Sequence, residues 1–152
     1  MPSDSLSLEK VHRRKNGQRY AFDRSPEFPA PWWYMGYSGE SGAHCFSARR
    51  DGVEVARCKL QLREQGNTLP GFDDQPNGQV DILALEVAVS VRRQGVGQLL
   101  LLAIGAEFPG TRLTALNDDA TLRKFWDGIG WIRHQPSNPL FAGVERVTYS
   151  EV

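Results

Sequence analysis

Between Val80 and Phe108 the chain reads as an apolar strand, a turn and a helix, with SVRRQGVGQ at the junction. Glycines at 95 and 97 remove side chains where a backbone must come close to a ligand. The helix that follows presents N–H groups without partners and the positive end of its dipole, an arrangement suited to anions. Arg92 and Arg93 add charge that pairs with phosphate oxygens. Because a tight turn alone would also use glycine, the elements around this cradle decide what it means.

Val80 to Val89, VDILALEVAV, is apolar almost throughout and predicts a buried central strand. Gly95 to Phe108 predicts a helix that is apolar on most faces and stopped by Pro109-Gly110. A strand over Arg112 to Leu116 follows, and Asn117, Asp118 and Asp119 are suited to cap the next helix. In that helix Leu122, Phe125, Trp126 and Ile129 form one apolar stripe, with Gly130 as the stop. Strands over Trp131 to His134 and Val144 to Tyr149 complete the C-terminal part.

Upstream, Ala43 to Arg63 reads as two strands joined at Asp51-Gly52, a strong hairpin signal. A two-residue turn there sets Arg49 opposite Glu54 and Cys45 opposite Cys58. Leu6 to Arg14 and Gln18 to Phe22 have the character of strands around Asn16-Gly17. In the Pro- and Gly-rich stretch that follows, Trp32, Trp33, Tyr34 and Tyr37 either line a substrate pocket or pack on the core. Gln65 to Gln79 has no apolar period and predicts a long loop, either functional or a tolerated insertion.

The length of 152 residues suits one domain over 1–152. An apolar share of 40% with four Trp and seven Phe predicts a packed globule. No run approaches the roughly 20 apolar residues of a membrane span, and MPSDSLSLEK lacks the pattern of a secretory signal. A cytoplasmic protein without a membrane partner is expected. Eighteen basic residues balance eighteen acidic ones, so the positive field of a nucleic-acid-binding protein is missing. The clusters Arg13-Arg14-Lys15 and Arg49-Arg50 each adjoin a turn signal and read as solvated strand ends. Neither the two cysteines nor His12, His44 and His134 have metal-ligand spacing, so no metal is expected. No GxSxG, HExxH or GxxxxGK[ST] motif occurs.

The thirteen residues LEVAVSVRRQGVG, Leu85 to Gly97, resemble without a gap the GNAT acetyltransferase pattern, an apolar strand running into [QR]-x-x-G-x-[GA]. Arg92, Gly95 and Gly97 fill its defining positions. The resemblance implies that Arg92, Arg93, Gln94, Gly95, Val96, Gly97 and Gln98 hold the pyrophosphate of coenzyme A. It likewise implies that Val87, Ala88 and Val89 offer backbone groups to the pantetheine arm and the acetyl carbonyl. Downstream, DATLRKFWDGIGW is similar to the family's N-x-x-A-x-x-[LF]-Y-x-x-x-G-[FW], matched by Phe125, Gly130 and Trp131. Asp119 stands in place of the Asn, with Asn117 the alternative after a local shift, and Trp126 stands in place of the Tyr. In the family that Tyr is proposed to protonate the leaving thiolate, which an indole cannot do near neutral pH. The replacement therefore bears on rate more than on reaction type, and implies Trp126 packed on the pantetheine arm.

The similar segments run from Val80 to Trp131, and residues 1–42 match nothing in the family. The implied fold is α/β (α+β), a mixed, largely antiparallel sheet of six to seven strands, splayed near the cofactor, with helices on both faces. The implied function is acetyl transfer from acetyl-CoA to a primary amine of a small molecule or peptide. Such a reaction needs a neutral amine, a carbonyl polarised by N–H groups and a proton acceptor. Asp81 falls where histone acetyltransferases of the superfamily carry a catalytic Glu, and Glu86, nearer the expected acetyl position, competes with it. Either could instead be a structural charge. The alternative function is a GNAT-derived module that binds coenzyme A or a protein partner without turnover. A nucleic-acid role ranks third, and a homodimer is compatible with the sequence.

Overall fold

The computed structural model describes residues 5–11, 22–34, 43–63, 78–117, 120–134 and 147–151. Among these, seven strands hydrogen-bond in the order β1-β2-β3-β4-β5-β7-β6. They are β1 Ser7–Val11, β2 Ala43–Arg50, β3 Val53–Arg63, β4 Gln79–Val87, β5 Arg112–Asn117, β6 Ile132–His134 and β7 Val147–Ser150. Helix α1 spans Val96–Glu107 and α2 spans Ala120–Gly128. β4 and β5 pair in parallel, whereas β1 with β2, β5 with β7 and β6 with β7 are antiparallel. Parallel neighbours in sequence need a crossover, which α1 supplies. The parallel ladder runs from Gln79↔Arg112 to Ile82↔Ala115, while β4 itself continues to Val87.

The chain divides into two compact units, Met1–Leu60 with Ala84–Glu107, and Gln61–Leu83 with Phe108–Val152. In the first unit the β2–β3 turn places Asp51 at φ 53° and Gly52 at φ 81°, the two positive angles of a hairpin turn that suits strand twist. The expected Arg49–Glu54 pair does not form. Arg49 instead meets Glu9 of β1 at 3.0 Å, and Glu54 accepts from Ser47 and Arg57. The third strand competes for Arg49, and a pairwise reading of one hairpin cannot include it. Cys45 and Cys58 are reduced, buried thiols, and burial, reinforced by Cys45, pushes Cys58 up to about 12.

The end of β4 and the N-terminal strand pair differ from the expectation. β4 ends at Val87, not Val89, because Val89 to Val91 turn into a short 3-10 helix in which Val89 is exposed. Of the two N-terminal strands, β1 forms and pairs with β2, whereas Phe22 is buried but not in a strand. Residues 12–21, with Asn16-Gly17, lie outside the described residues, as do 64–77 of the expected loop and Tyr37.

In the second unit Trp126 is 2% exposed, and its ring packs on Phe125 at 4.9 Å, Trp131 at 4.7 Å and Tyr149 at 6.2 Å. Past α2 the chain closes with Gly130 at φ 81° and Trp131 N–H donating to the Trp126 carbonyl, a glycine-based helix stop. Among the described residues no helix is long and apolar enough to cross a membrane.

Candidate functional site

In the first unit the loop residues Arg92 to Gln98 follow shortly after the end of β4. Ala88 is buried and its N–H donates to the Val55 carbonyl at 2.9 Å, which pins the strand end to β3. The chain then turns through Val89–Val91, and Arg93 and Gly95 take φ of 64° and 80°. The Gly95 carbonyl accepts the Leu99 N–H at 3.2 Å, the first bond of α1. The N–H groups of Val96, Gly97 and Gln98 therefore precede any in-helix acceptor. Val96 and Gly97 are buried and root the helix in the core, whereas Gln94, Gly95 and Gln98 face outward. A Cβ on Gly95 would meet nothing within 4 Å, so the glycine answers to its left-handed backbone and not to crowding.

The two arginines part company. Arg92 donates from Nε to the Val87 carbonyl at 3.0 Å and from Nη2 to Glu86 at 3.2 Å, so it laces the loop to the strand. Arg93 is exposed, and its guanidinium meets no acceptor among the described residues.

Glu86 is the carboxylate that shares this unit. Besides Arg92 it accepts the Ala30 N–H at 3.3 Å and the Trp33 indole N–H at 2.8 Å. Glu27 makes a second tie, since its carbonyl accepts the Val89 N–H at 3.0 Å and its carboxylate the Ser90 N–H at 2.8 Å. The Ser90 backbone bond, foremost, holds the Glu27 carboxyl below its ordinary value. Residues 22–34 are thus docked on the strand end by two glutamates.

Arg57 holds that segment from beneath. It is 1% exposed, pairs with Glu54 at 3.0 Å, and donates to the Asp23 carbonyl at 2.7 Å and the Tyr34 hydroxyl at 3.2 Å. Its guanidinium lies 4.2 Å from the Phe28 ring centre and 4.8 Å from that of Phe22, where cation–π attraction adds to the hydrogen bonds. Trp33 is buried against Phe22 at 5.0 Å. Of the two readings of the aromatic cluster, core packing holds for Trp33.

The other sequence candidates lie in the second unit. Asp81 is buried, accepts the Gln79 side-chain N–H at 2.8 Å and bonds the Thr114 hydroxyl. Trp126 sits within the ring cluster, and Asn117 closes β5. Asp119, with the expected helix cap, falls outside the described residues. Arg57 and Glu27 are not singled out by the sequence, and Glu54 only as a partner for Arg49. The one signal was an arginine inside VARCKL, where a buried strand has no ordinary use for a cation.

No protein-family model and no curated protein sequence matches this chain. Solved structures do. The chain is similar to the AtaTR complex bound with acetyl-CoA, at 14% identity and a TM-score of 0.58 over 97% of this chain and 94% of that one. It is similar to the KacTA–DNA complex, at 14% identity and a TM-score of 0.56 over 96% and 93%. The Bacillus subtilis N-acetyltransferase YlbP, in complex with coenzyme A, matches at 16% identity and a TM-score of 0.51 over 71% and 70%. The fold is that of the GNAT superfamily. Coverage of the matched proteins' own lengths runs from 64% to 94%. The seven-strand order, with one parallel pair among antiparallel ones, agrees with the expected mixed, largely antiparallel sheet.

Proposed function

We propose that this chain is an acetyl-CoA-dependent N-acyltransferase whose acceptor is a primary amine of a small molecule or peptide. The observation that carries the reading is the loop at Arg92–Gln98, where a left-handed Gly95 leads into α1 beside the exposed Arg93. AtaTR and YlbP, of the same fold, are described with acetyl-CoA and coenzyme A respectively. The loop's features fit a pyrophosphate, with N–H groups of Val96 to Gln98 and the Arg93 charge as donors. When bound, acetyl-CoA supplies an acyl group activated as a thioester.

The residues then divide the work. Arg93 and the start of α1 hold the cofactor's phosphates, while Arg92 keeps the loop in register with β4. Both Glu86 oxygens already accept N–H donors, so Glu86 suits holding the segment 22–34 better than taking a proton directly. The amine proton leaves through water in this reading. Asp81, engaged with Gln79 and Thr114, serves packing.

A second reading, a module that binds cofactor or partner without turnover, draws on one observation. Trp126, which stands at the tyrosine position of the resembled pattern, is buried among rings. Screening primary amines for acetyl-CoA-dependent thiol release separates the two. Release with one amine class supports transfer, and cofactor binding with no release from any amine supports the module.

A further inference from the structure

Residues of the segment 22–34 line a cavity of about 520 Å³. The exposed Pro26, Pro29 and Pro31 wall it, and the half-buried Tyr34 and the buried Phe28 lie at its base. Prolines have no N–H, so these walls are apolar and stiff. Both rings are fixed from behind, since Arg57 sits over Phe28 and bonds the Tyr34 hydroxyl. That hydroxyl also donates to the Phe28 carbonyl at 2.6 Å and accepts the Ser25 N–H at 3.1 Å, so it has nothing left to offer a ligand.

Two polar groups remain. Arg24 lines the cavity with its guanidinium 4.9 Å over the Tyr34 ring, and among the described residues it meets no acceptor. Ser25 Oγ accepts the Glu27 N–H at 3.1 Å, which leaves its proton to donate. Both are donors, and the one charge is positive. Stacking on Tyr34 restricts the guanidinium in advance, so less order is lost when an anion is bound.

We propose that this cavity binds a small carboxylate with an apolar body, and that it recognises the carboxylate-bearing end of the acyl acceptor. The apolar body of the ligand lies against Pro26, Pro29 and Pro31, and its carboxylate meets Arg24 and the Ser25 hydroxyl. Ala30, between the wall residues Pro29 and Pro31, donates its N–H to Glu86. The cavity is therefore one peptide unit from the carboxylate at the end of β4. The acceptor assignment rests on the acyl-transfer reading, whereas the carboxylate site does not.

The test has two arms. In the first, amide spectra of the protein without cofactor are titrated with benzoate and with benzamide. Benzoate should shift resonances of residues 24–34 saturably and bind at least about tenfold more tightly than benzamide, as a charge-assisted pair requires. Arg24→Gln should erase that preference and Arg24→Lys restore part of it. Equal binding of the two probes, shifts confined to other residues, or an unchanged preference in Arg24→Gln would overturn the site.

In the second arm, thiol release from acetyl-CoA is followed with para-aminomethylbenzoate and with benzylamine. A lower KM for the carboxylate-bearing amine, lost in Arg24→Gln, supports the acceptor assignment, and equal KM values overturn it. Benzoate binding without thiol release from any amine keeps the site and removes the acyl-transfer reading. Thiol release without benzoate binding does the reverse.

Discussion

In the unit built on residues 1–60 and 84–107, the N–H groups of Val96 to Gln98 and the guanidinium groups of Arg24 and Arg93 have no partner among the described residues. In the other unit Asp81 is closed in by Gln79 and Thr114, Ser150 accepts from Arg112 and meets His134, and Tyr149 donates to Asp127. Both carboxylates singled out as bases are thus spoken for, but for different ends. Glu86 positions a segment next to unspent donors, and Asp81 completes a buried network. A polar group already satisfied by the fold builds structure, and one left over is where a ligand is to be sought.

The largest effect that would sharpen this contrast is at Arg57. Arg57→Met should cost about 3–5 kcal/mol, because Glu54 then loses the partner of a largely buried ion pair. Urea denaturation reads it, and a cost below about 1 kcal/mol would show that the cage around Arg57 does not hold the segment.

Asp81 ranks next. Asp81→Asn should lower stability by about 1–3 kcal/mol through its buried hydrogen bonds, and leave acetyl-CoA affinity within about twofold. Calorimetry beside denaturation checks both, and a loss of turnover without a loss of stability would return Asp81 to the reaction.

Legibility in the sequence followed locality. The Asp51-Gly52 turn could be read because two neighbouring residues must both take positive φ, and they do. The Arg92–Gly97 loop was readable for the same reason, as strand, glycines and helix start are contiguous. What binds residues 22–34 was not legible. Glu86 and Arg57 reach that segment from 53 and 34 positions along the chain, in the contacts with Trp33 and Asp23. The Arg49–Glu54 pair failed likewise, because Glu9 arrives from another strand. In Trp126 the ring stripe was visible, but only Tyr149 of β7 shows how completely it is enclosed.

The smallest effect is a pH dependence in the closed unit. Burial first, and Arg112 second, lower the His134 pKa from its ordinary 6.5. Below that ordinary value the unfolded chain takes up a proton that the native chain resists, so this contribution to stability is present above it and falls away as pH drops. Neutral His134 can accept from the Ser150 hydroxyl, which itself accepts from Arg112, and a protonated ring cannot. His134→Gln should therefore flatten the fall in urea midpoint between about pH 7 and pH 5. An unchanged slope would place the acid sensitivity elsewhere, with His44, also lowered by burial, the next to examine.

The central claim is that unspent donors at the start of α1 bind the cofactor's phosphates, and calorimetric titration of the wild type and Gly95→Glu with acetyl-CoA tests it most directly. The wild type should bind saturably, and the variant at least about a hundredfold more weakly, because it carries a carboxylate into the cradle and strains a left-handed position by about 1–2 kcal/mol. A thermal melt confirms that the variant is folded. No saturable heat from the wild type, or equal affinity in a folded Gly95→Glu, would contradict the account.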